Sequence, residues 1–584
     1  VKHACTGRAS VIAAMNWSIA PGVANLRSYQ VRWLRKDIVA GLVLTALLVP
    51  QGMAYAELAG LPPITGLYTS ILCLVAYALF GPSKVLVLGP DSSLGPMIFA
   101  TLVPLLASDG DPKRAVALAS ALALLTGAMM TLAGIAKLGF VADLISKPTI
   151  IGYMNGLALT IFVGQLPKLF GFSTDSDTFI EDVREFVRGV ANGDTVGAAL
   201  TVGLLGIALI LVVQRWFPKV PGVLVAVVLS IAAAGAFDLA SHGVSLVGEL
   251  PQGFPPLTIP RVGLSDLALL IGGALGIALV SLTDTISTAS SFAARRGEEV
   301  NGEREVIGIG VANLGAGMFQ GFPVSTSGSR TAVAEQAGAK TQLTGLVGAA
   351  SILVIIVLLP GLLKNLPQPT LAAVVITASV SLADVRGTRR LYAIRRSEFW
   401  LSIGAFLGVV LLGVLPGIAI AVALSIGNVF RRSWWPYQAE LGRVPGVDGY
   451  HDVESYPHAE LLPNCVIFRF DAPLFFANAR TFREQLRALA ARTPRPKWII
   501  VASEPITDVD TTAADMLQAL DEALNEQGIN LVFAEMKDPV KEKIDRYELT
   551  KTIDPTHFYP TIDEAVDAFR ELTGAAWQGP ASAS

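Results

Sequence analysis

The chain has 584 residues, of which 52% are hydrophobic and 16% charged, and its formal net charge is -3. Soluble domains carry about a quarter charged residues, so the composition points to an integral membrane protein, and a charge this small does not suggest a nucleic-acid partner. Three cysteines (Cys5, Cys73 and Cys465) and five histidines are scattered without ligand spacing, which excludes a disulfide framework and a metal centre.

Residues 1–30 read as an N-terminal cytoplasmic segment without the apolar core and cleavage site of a secretory signal. A spanning helix needs about 20 mostly apolar residues. Uncharged stretches of about that length recur from Ile38 to Phe237, and again from Leu267 to Phe430. The last of them, Phe399–Phe430, is long enough to cross twice, with Pro416-Gly417 as the predicted bend. Residues 303–340 are broken and less hydrophobic, and two shorter helices are predicted there. The expected total is about 14 segments. Arg32, Arg35, Lys36, Arg215, Lys219, Arg295, Arg296, the Arg386–Arg396 cluster, Arg431 and Arg432 all fall on one side if both termini are cytoplasmic. The acid-rich stretch Ser173–Glu185 then falls on the other.

Composition changes after Arg432. Strand-like runs such as "CVIFRFDAPLFFANA" and "KWIIVAS" alternate with amphipathic helical patterns such as "AADMLQALDEALNEQG". Residues 440–575 therefore read as one soluble α/β domain, and 576–584 as a disordered tail.

Two short stretches interrupt the apolar sequence. "KVLVLGPDSSLGPMIF", from Lys84, reads as a short extended run stopped at Gly89-Pro90, with a helix starting there in mid-membrane. "GMFQGFPVSTSGSRTAVAEQAG", residues 317–338, repeats the pattern with Pro323 and a cluster of hydroxyls. Either break alone could be a kink. Corresponding breaks in two halves of a transporter mark a binding site, because backbone N–H groups freed at a helix start are tolerated only beside a cavity and favour an anion. Ser92, Ser93, Ser325, Ser327 and Ser329 would add donors. Arg330 would either supply fixed positive charge or lock helices through Glu335 or Asp284. Asp284, within an apolar span, is expensive when ionised, so it is expected to bind a proton or a cation or to pair with Arg330. Thr288 shares its helix face, and Thr283 and Thr285 are further candidate oxygen ligands. No Gly-rich phosphate loop precedes a helix bearing a Lys, so the sequence does not support ATP-driven transport.

"LLVPQGMAYAELAGLPPITGLYTS", "SKVLVLGPDSS", "NGEREVIGIGVANLGAGMFQGFPVSTSGSRTAVAEQAGAKTQLTGLV" and "YAIRRSEF" resemble the signatures of the sulfate permease (SulP) anion transporters. The C-terminal part is similar to the STAS domain that follows them. The resemblance implies a multi-pass α-helical membrane protein of the 7+7 inverted-repeat type, with core and gate domains in residues 31–432 (repeats about 31–240 and 260–432) and a cytoplasmic STAS domain. It implies a secondary active transporter, not an enzyme, that moves a small inorganic anion across a bacterial inner membrane. Also implied are elevator movement of the core, a homodimer and no cofactor beyond a coupling ion. Carried over by motif, the anion site comprises Gln51, Tyr55, Asp91, Ser92, Ser93, Ser325, Thr326, Ser327, Gly328, Ser329 and Arg330, with Asp284 and Thr288 as the cation-coupling pair. Two departures stand out. Asp91 puts an acid where an anion should bind, and Gly328 stands where a sodium-coupled member offers a hydroxyl, which favours a proton over sodium. Proton-coupled sulfate uptake is the expectation. Bicarbonate or dicarboxylate symport and an uncoupled channel or exchanger are the alternatives. In the STAS part, Thr511 matches the phosphorylated position of bacterial antagonists, where it would be a regulatory contact for a cytoplasmic partner; its plainer reading is one of a helix-cap cluster with Asp510 and Thr512.

Overall fold

A computed structural model describes residues 20–106, 111–139, 145–174, 178–217 and 220–578. The expectations for residues 1–19, Lys219, the middle of the acid-rich stretch and the end of the tail lie outside these residues. The chain forms two compact units, the first ending at Ser425 and the second starting at Ile426.

The first unit is helical and has the same order of elements twice. The first run is α1 (Leu34–Leu58), α2 (Pro63–Phe80), β1 (Leu88–Gly89) with α3 (Gly95–Leu102), α4 (Pro112–Ile135), α5 (Lys147–Phe170), α6 (Phe179–Asn192), α7 (Gly197–Trp216) and α8 (Gly222–Ala236). The second is α9 (Leu264–Ala294), α10 (Gly302–Met318), β2 (Ser325–Thr326) with α11 (Gly328–Gln336), α12 (Leu343–Leu358), α13 (Gln368–Leu382), α14 (Val385–Ile394), α15 (Arg396–Leu412) and α16 (Val414–Trp434), whose last residues, from Ile426, are counted in the second unit. Each run holds seven helical segments in the same order and one amphipathic helix at the same place, α6 or α14. Among the described residues, eight helices are long and apolar enough to cross a membrane, and three further apolar helices are shorter.

The apolar segments sort into two packed groups. In one, α10 lies against α4 and α2, α12 against α1, and α9 against α4. In the other, α5 packs on α15 and α13, and α7 on α13 and α8. The groups meet where α1 touches α13 and α8. The start of α1 is fastened to the second run by the fully buried Asp37. Its carboxylate accepts from the backbone N–H groups of Lys340 (2.6 Å) and Thr341 (3.2 Å) and from the hydroxyls of Thr341 (2.8 Å) and Thr344 (3.1 Å). A buried carboxylate is tolerated when its lone pairs are satisfied in this way.

The bend expected at Pro416-Gly417 falls instead at Gly413, which separates α15 from α16 with φ +94°. Only glycine adopts that backbone region at little cost. Pro416 sits in the first turn of α16, where its missing N–H matters least.

The second unit is a six-stranded sheet in the order β4-β3-β5-β6-β7-β8. Its strands are β3 (Gln438–Arg443), β4 (Tyr450–Asp452), β5 (Cys465–Phe470), β6 (Trp498–Ala502), β7 (Asn530–Ala534) and β8 (Phe558–Tyr559). Pairing is parallel from β5 to β8 and antiparallel for β3 with β4 and β5. Helices α17 (Ala479–Ala490), α18 (Thr511–Asn525), α19 (Asp538–Arg546) and α20 (Ile562–Thr573) follow the strands. The central strand β6 is buried along its whole length, as a strand covered on both faces should be.

Candidate functional site

The two breaks meet. β1 and β2 pair antiparallel, with Leu88 opposite Thr326 and Gly89 opposite Ser325. This bridge accounts for part of the backbone exposed by interrupting the helices. Side chains from neighbouring helices account for more. Val324 N–H donates to the Asn313 side-chain carbonyl (2.9 Å), and Asn313 and Ser281 both donate to the Val324 carbonyl (3.2 Å each). Val87 N–H donates to the Thr331 hydroxyl (3.0 Å), and Ser327 N–H to the Val87 carbonyl (3.1 Å). In a bilayer each such group would otherwise cost several kcal/mol, so non-helical backbone at this depth needs partners.

The helix after the first break starts later than the motif suggests. Pro90 only ends the strand. Residues 91–94 form a turn in which the Asp91 carboxylate accepts from the Ser93 N–H (2.9 Å) and hydroxyl (2.7 Å). α3 begins at Gly95, with Pro96 in its first turn. The reason is local: the aspartate side chain offers the turn an acceptor before the helix can form. At the second break, α11 does begin directly after the strand, with the Ser327 side chain capping the Arg330 N–H at 3.4 Å.

Arg330 joins the breaks. Its side chain is 1% exposed, yet it reaches the first break: Nη1 donates to the Pro90 carbonyl at 2.5 Å, and Nη2 lies 3.6 Å from the Asp91 carboxylate. The expected partners were Glu335 or Asp284. Glu335 instead pairs with Arg296 at 2.9 Å, because it lies near the far end of α11 and faces the end of α9. Arg330 can approach so closely because residue 89 is glycine; a Cβ there would lie 3.0 Å from Nη1 and 3.3 Å from Cζ. Arg330 Nε and Nη2 and the Thr326 hydroxyl are buried without a hydrogen-bond partner in the protein. A buried donor left unmade costs about 1–3 kcal/mol, which a bound acceptor would recover.

A cavity of 1070 Å³ opens beside this junction. It is lined by Gln51 and Tyr55 of α1, by Asp91, Ser92 and Ser93, by Asp284 and Thr288 of α9, and by residues 326–330. Of the candidates drawn from the motifs, Ser325 is not on this wall; it is fully buried in the bridge opposite Gly89. Thr285 also points away, donating to the Ser281 carbonyl (2.5 Å) one helical turn back. Thr283 likewise donates to the Leu279 carbonyl (2.9 Å). The opposite wall comes from the second helix group and was not anticipated. Gln214 of α7 and Thr377 and Ser381 of α13 are its polar members, with Val223 and Val374 between them. Single hydroxyls and amides in apolar helices carry no local signal that would have marked them. Thr511, in the other unit, is exposed at the first position of α18, whose cap is Asp510: its carboxylate accepts from the Ala513 N–H (2.8 Å) and the Phe476 N–H (2.8 Å). Among the described residues no cluster of His, Cys, Asp or Glu could hold a metal ion.

Comparisons agree with this architecture. A sequence model of the sulfate permease family matches residues 34–405, and one of the STAS domain matches residues 456–565. A probable sulfate transporter of Mycobacterium tuberculosis is 41% identical over 552 residues, covering 94% of this chain and 98% of that protein. Sulfate transporter 1.3 of Arabidopsis thaliana is 29% identical, covering 94% and 87%. Among solved structures, murine Solute Carrier 26 family member A9, an anion transporter in the inward-facing state, superposes with TM-score 0.87 over 98% of this chain and 97% of its own, at 23% identity. The transmembrane domain of a cyanobacterium bicarbonate transporter, BicA, gives TM-score 0.58 over 68% of this chain and 99% of its own, at 21% identity.

Proposed function

Since the chain belongs to the sulfate permease family, we propose that this multi-pass membrane protein is a secondary transporter that takes up sulfate together with protons, binding the anion where the two breaks meet. One observation carries the reading: a buried arginine, pinned to the opposite break through Pro90, keeps Nε and Nη2 free of hydrogen bonds beside a hydroxyl-lined cavity. A guanidinium fork suits an oxyanion. Ser92, Thr326, Ser327 and Ser329 line the same cavity as uncharged donors, while the Ser93 hydroxyl is engaged by Asp91. The named relatives are a probable sulfate transporter and a sulfate transporter, and the likeness to the bicarbonate transporter is one of fold.

Asp284 is the proton carrier in this reading. It lines the same cavity, and Arg330 is engaged by Asp91, which leaves the Asp284 carboxyl for another cation. Thr288 lines the cavity one turn further on. Transport proceeds by movement of the group that holds the breaks past the group of α5, α7, α8 and α13, since the cavity has one wall in each. Both termini face the cytoplasm, on the distribution of Lys and Arg.

The test is uptake of labelled sulfate into proteoliposomes under an inward proton gradient, for the native protein and Asp284→Asn. Gradient-driven uptake that is lost in the variant supports the reading. An active preparation that takes up bicarbonate or dicarboxylate but not sulfate refutes the substrate, and uptake indifferent to the gradient refutes the coupling.

A further inference from the structure

Helix α14 is the amphipathic element between the fifth and sixth apolar segments of the second run. Its sequence, VRGTRRLYAI, puts Arg386, Arg389 and Arg390 beside Val385, Tyr392 and Ile394, which are 55%, 55% and 70% exposed. A short helix with basic residues and exposed apolar side chains fits the boundary between headgroups and hydrocarbon. It is clamped to α5 by one side chain: the Asn155 amide donates to the Thr388 hydroxyl (2.9 Å), and its carbonyl accepts from the Asp384 N–H (2.7 Å).

Two cavities flank this clamp, and they differ in chemistry. On one side lies a basic hollow of 500 Å³ lined by Lys147, Arg386, Arg390 and Arg395 together with Asp384 and Glu398. The two acids are occupied. Asp384 caps α14 through the Gly387 N–H (2.7 Å), and Glu398 pairs with Arg395 at 3.5 Å. Lys147, Arg386 and Arg390 form no ion pair among the described residues. On the other side lies a cavity of 410 Å³ walled by Ala158, Leu159, Phe162, Val380, Ile403 and Phe406.

We propose that the two cavities form one site for an acidic phospholipid. Its phosphate sits among Lys147, Arg386 and Arg390, and an acyl chain lies in the apolar cavity along α5. Unpaired cations beside an apolar slot at an interfacial helix are complementary to both ends of such a molecule, whereas a soluble anion would leave the apolar half unfilled. The site bears on transport through α13. Ser379 and Val380 face the apolar cavity, while Thr377, Ala378 and Ser381 line the large cavity on the opposite face of the same helix. An occupant therefore presses on the wall opposite Arg330. Lipid binding itself does not depend on the transport reading; only its effect on uptake does.

The full-length protein, reconstituted with phosphatidylglycerol and phosphatidylcholine and then partly delipidated, is analysed by native mass spectrometry. The native protein is expected to retain phosphatidylglycerol over phosphatidylcholine by about tenfold. The triple variant Lys147→Gln, Arg386→Gln, Arg390→Gln, which alters only exposed side chains, should lose that preference. Val380→Trp, at a half-open position, should expel the lipid with all charges in place. An unchanged preference in the triple variant overturns the proposal. So does competition by soluble glycerol phosphate with no effect of Val380→Trp, which would mark a free-anion site. Conversion of a dimer to a monomer by the triple variant, with lipid retention unaltered, would assign the face to a second copy instead.

Discussion

The two breaks have the same grammar and opposite charge. Each has a short extended run, a proline, hydroxyls and a short helix, but the first carries Asp91 before its helix and the second Arg330 within it. At the first, the side chain folds back on its own turn and delays the helix; at the second, a serine caps the helix and the arginine leaves to cross the junction. The pair therefore closes the gap between the halves while leaving two guanidinium N–H positions unfilled. A duplicated element thus becomes a site because the two copies carry charges of opposite sign that meet across the junction.

The sharpest way to break this arrangement is Arg330→Gln, which strands the Asp91 carboxylate. Sulfate uptake should fall about 100-fold, since cutting one partner from a buried charge pair is among the costliest single changes. Gly89→Ala leaves every polar group in place and only pushes the guanidinium away, so its cost should be smaller, about tenfold in kcat/KM, with Arg330 displaced in the variant structure. If Gly89→Ala proves as active as the native protein, the close approach of Arg330 to Pro90 is not needed for transport.

Asp91→Asn tests the other sign. The amide carbonyl can still accept from Ser93, but the resident negative charge is gone. KM for a divalent anion should drop about fivefold, alongside a lower melting temperature because Arg330 loses its ion-pair partner. A higher KM would mean that Asp91 assists binding instead of competing with it.

A buried acid without a facing cation provides the contrast. Asp521 of α18 is 1% exposed, and its carboxylate accepts from the Asn525 amide (2.9 Å). Burial pushes its carboxyl up to about 6. A raised carboxyl stabilises the folded state at low pH, and this contribution is lost as pH rises through about 6. Asp521→Asn should thus stabilise the second unit by about 1–2 kcal/mol at pH 7.5 and not at pH 4. Hydrogen exchange of the α18 amides in the intact protein reads this out, and equal protection at the two pH values would refute it. The smallest effect is expected from Gly328→Ser. A Cβ there meets only Thr288 Cγ2, at 4.0 Å, so the fold should tolerate it and uptake should stay within about twofold.

Much of this molecule is legible from local sequence. Apolar stretches of membrane length mark the helices because a bilayer admits few alternatives to a hydrogen-bonded span. The two proline- and serine-containing interruptions mark the site because a regular helix is broken at them. Strand and helix periods identify the second unit. What local sequence left open is whatever depends on contacts between distant residues. The partner of Arg330 is an example: local sequence offered Glu335 and Asp284, whereas the acid it meets, Asp91, lies in the other half of the helical unit. The Asp37 latch, whose ligands lie over 300 positions away, is another. So are Gln214, Thr377 and Ser381, ordinary side chains that become cavity wall only when the second helix group packs opposite the breaks. Composition and periodicity determined the segments and where they had to break. Only tertiary packing decided which charge met which, because pairing depends on the separation of side chains in space and chain order does not encode it.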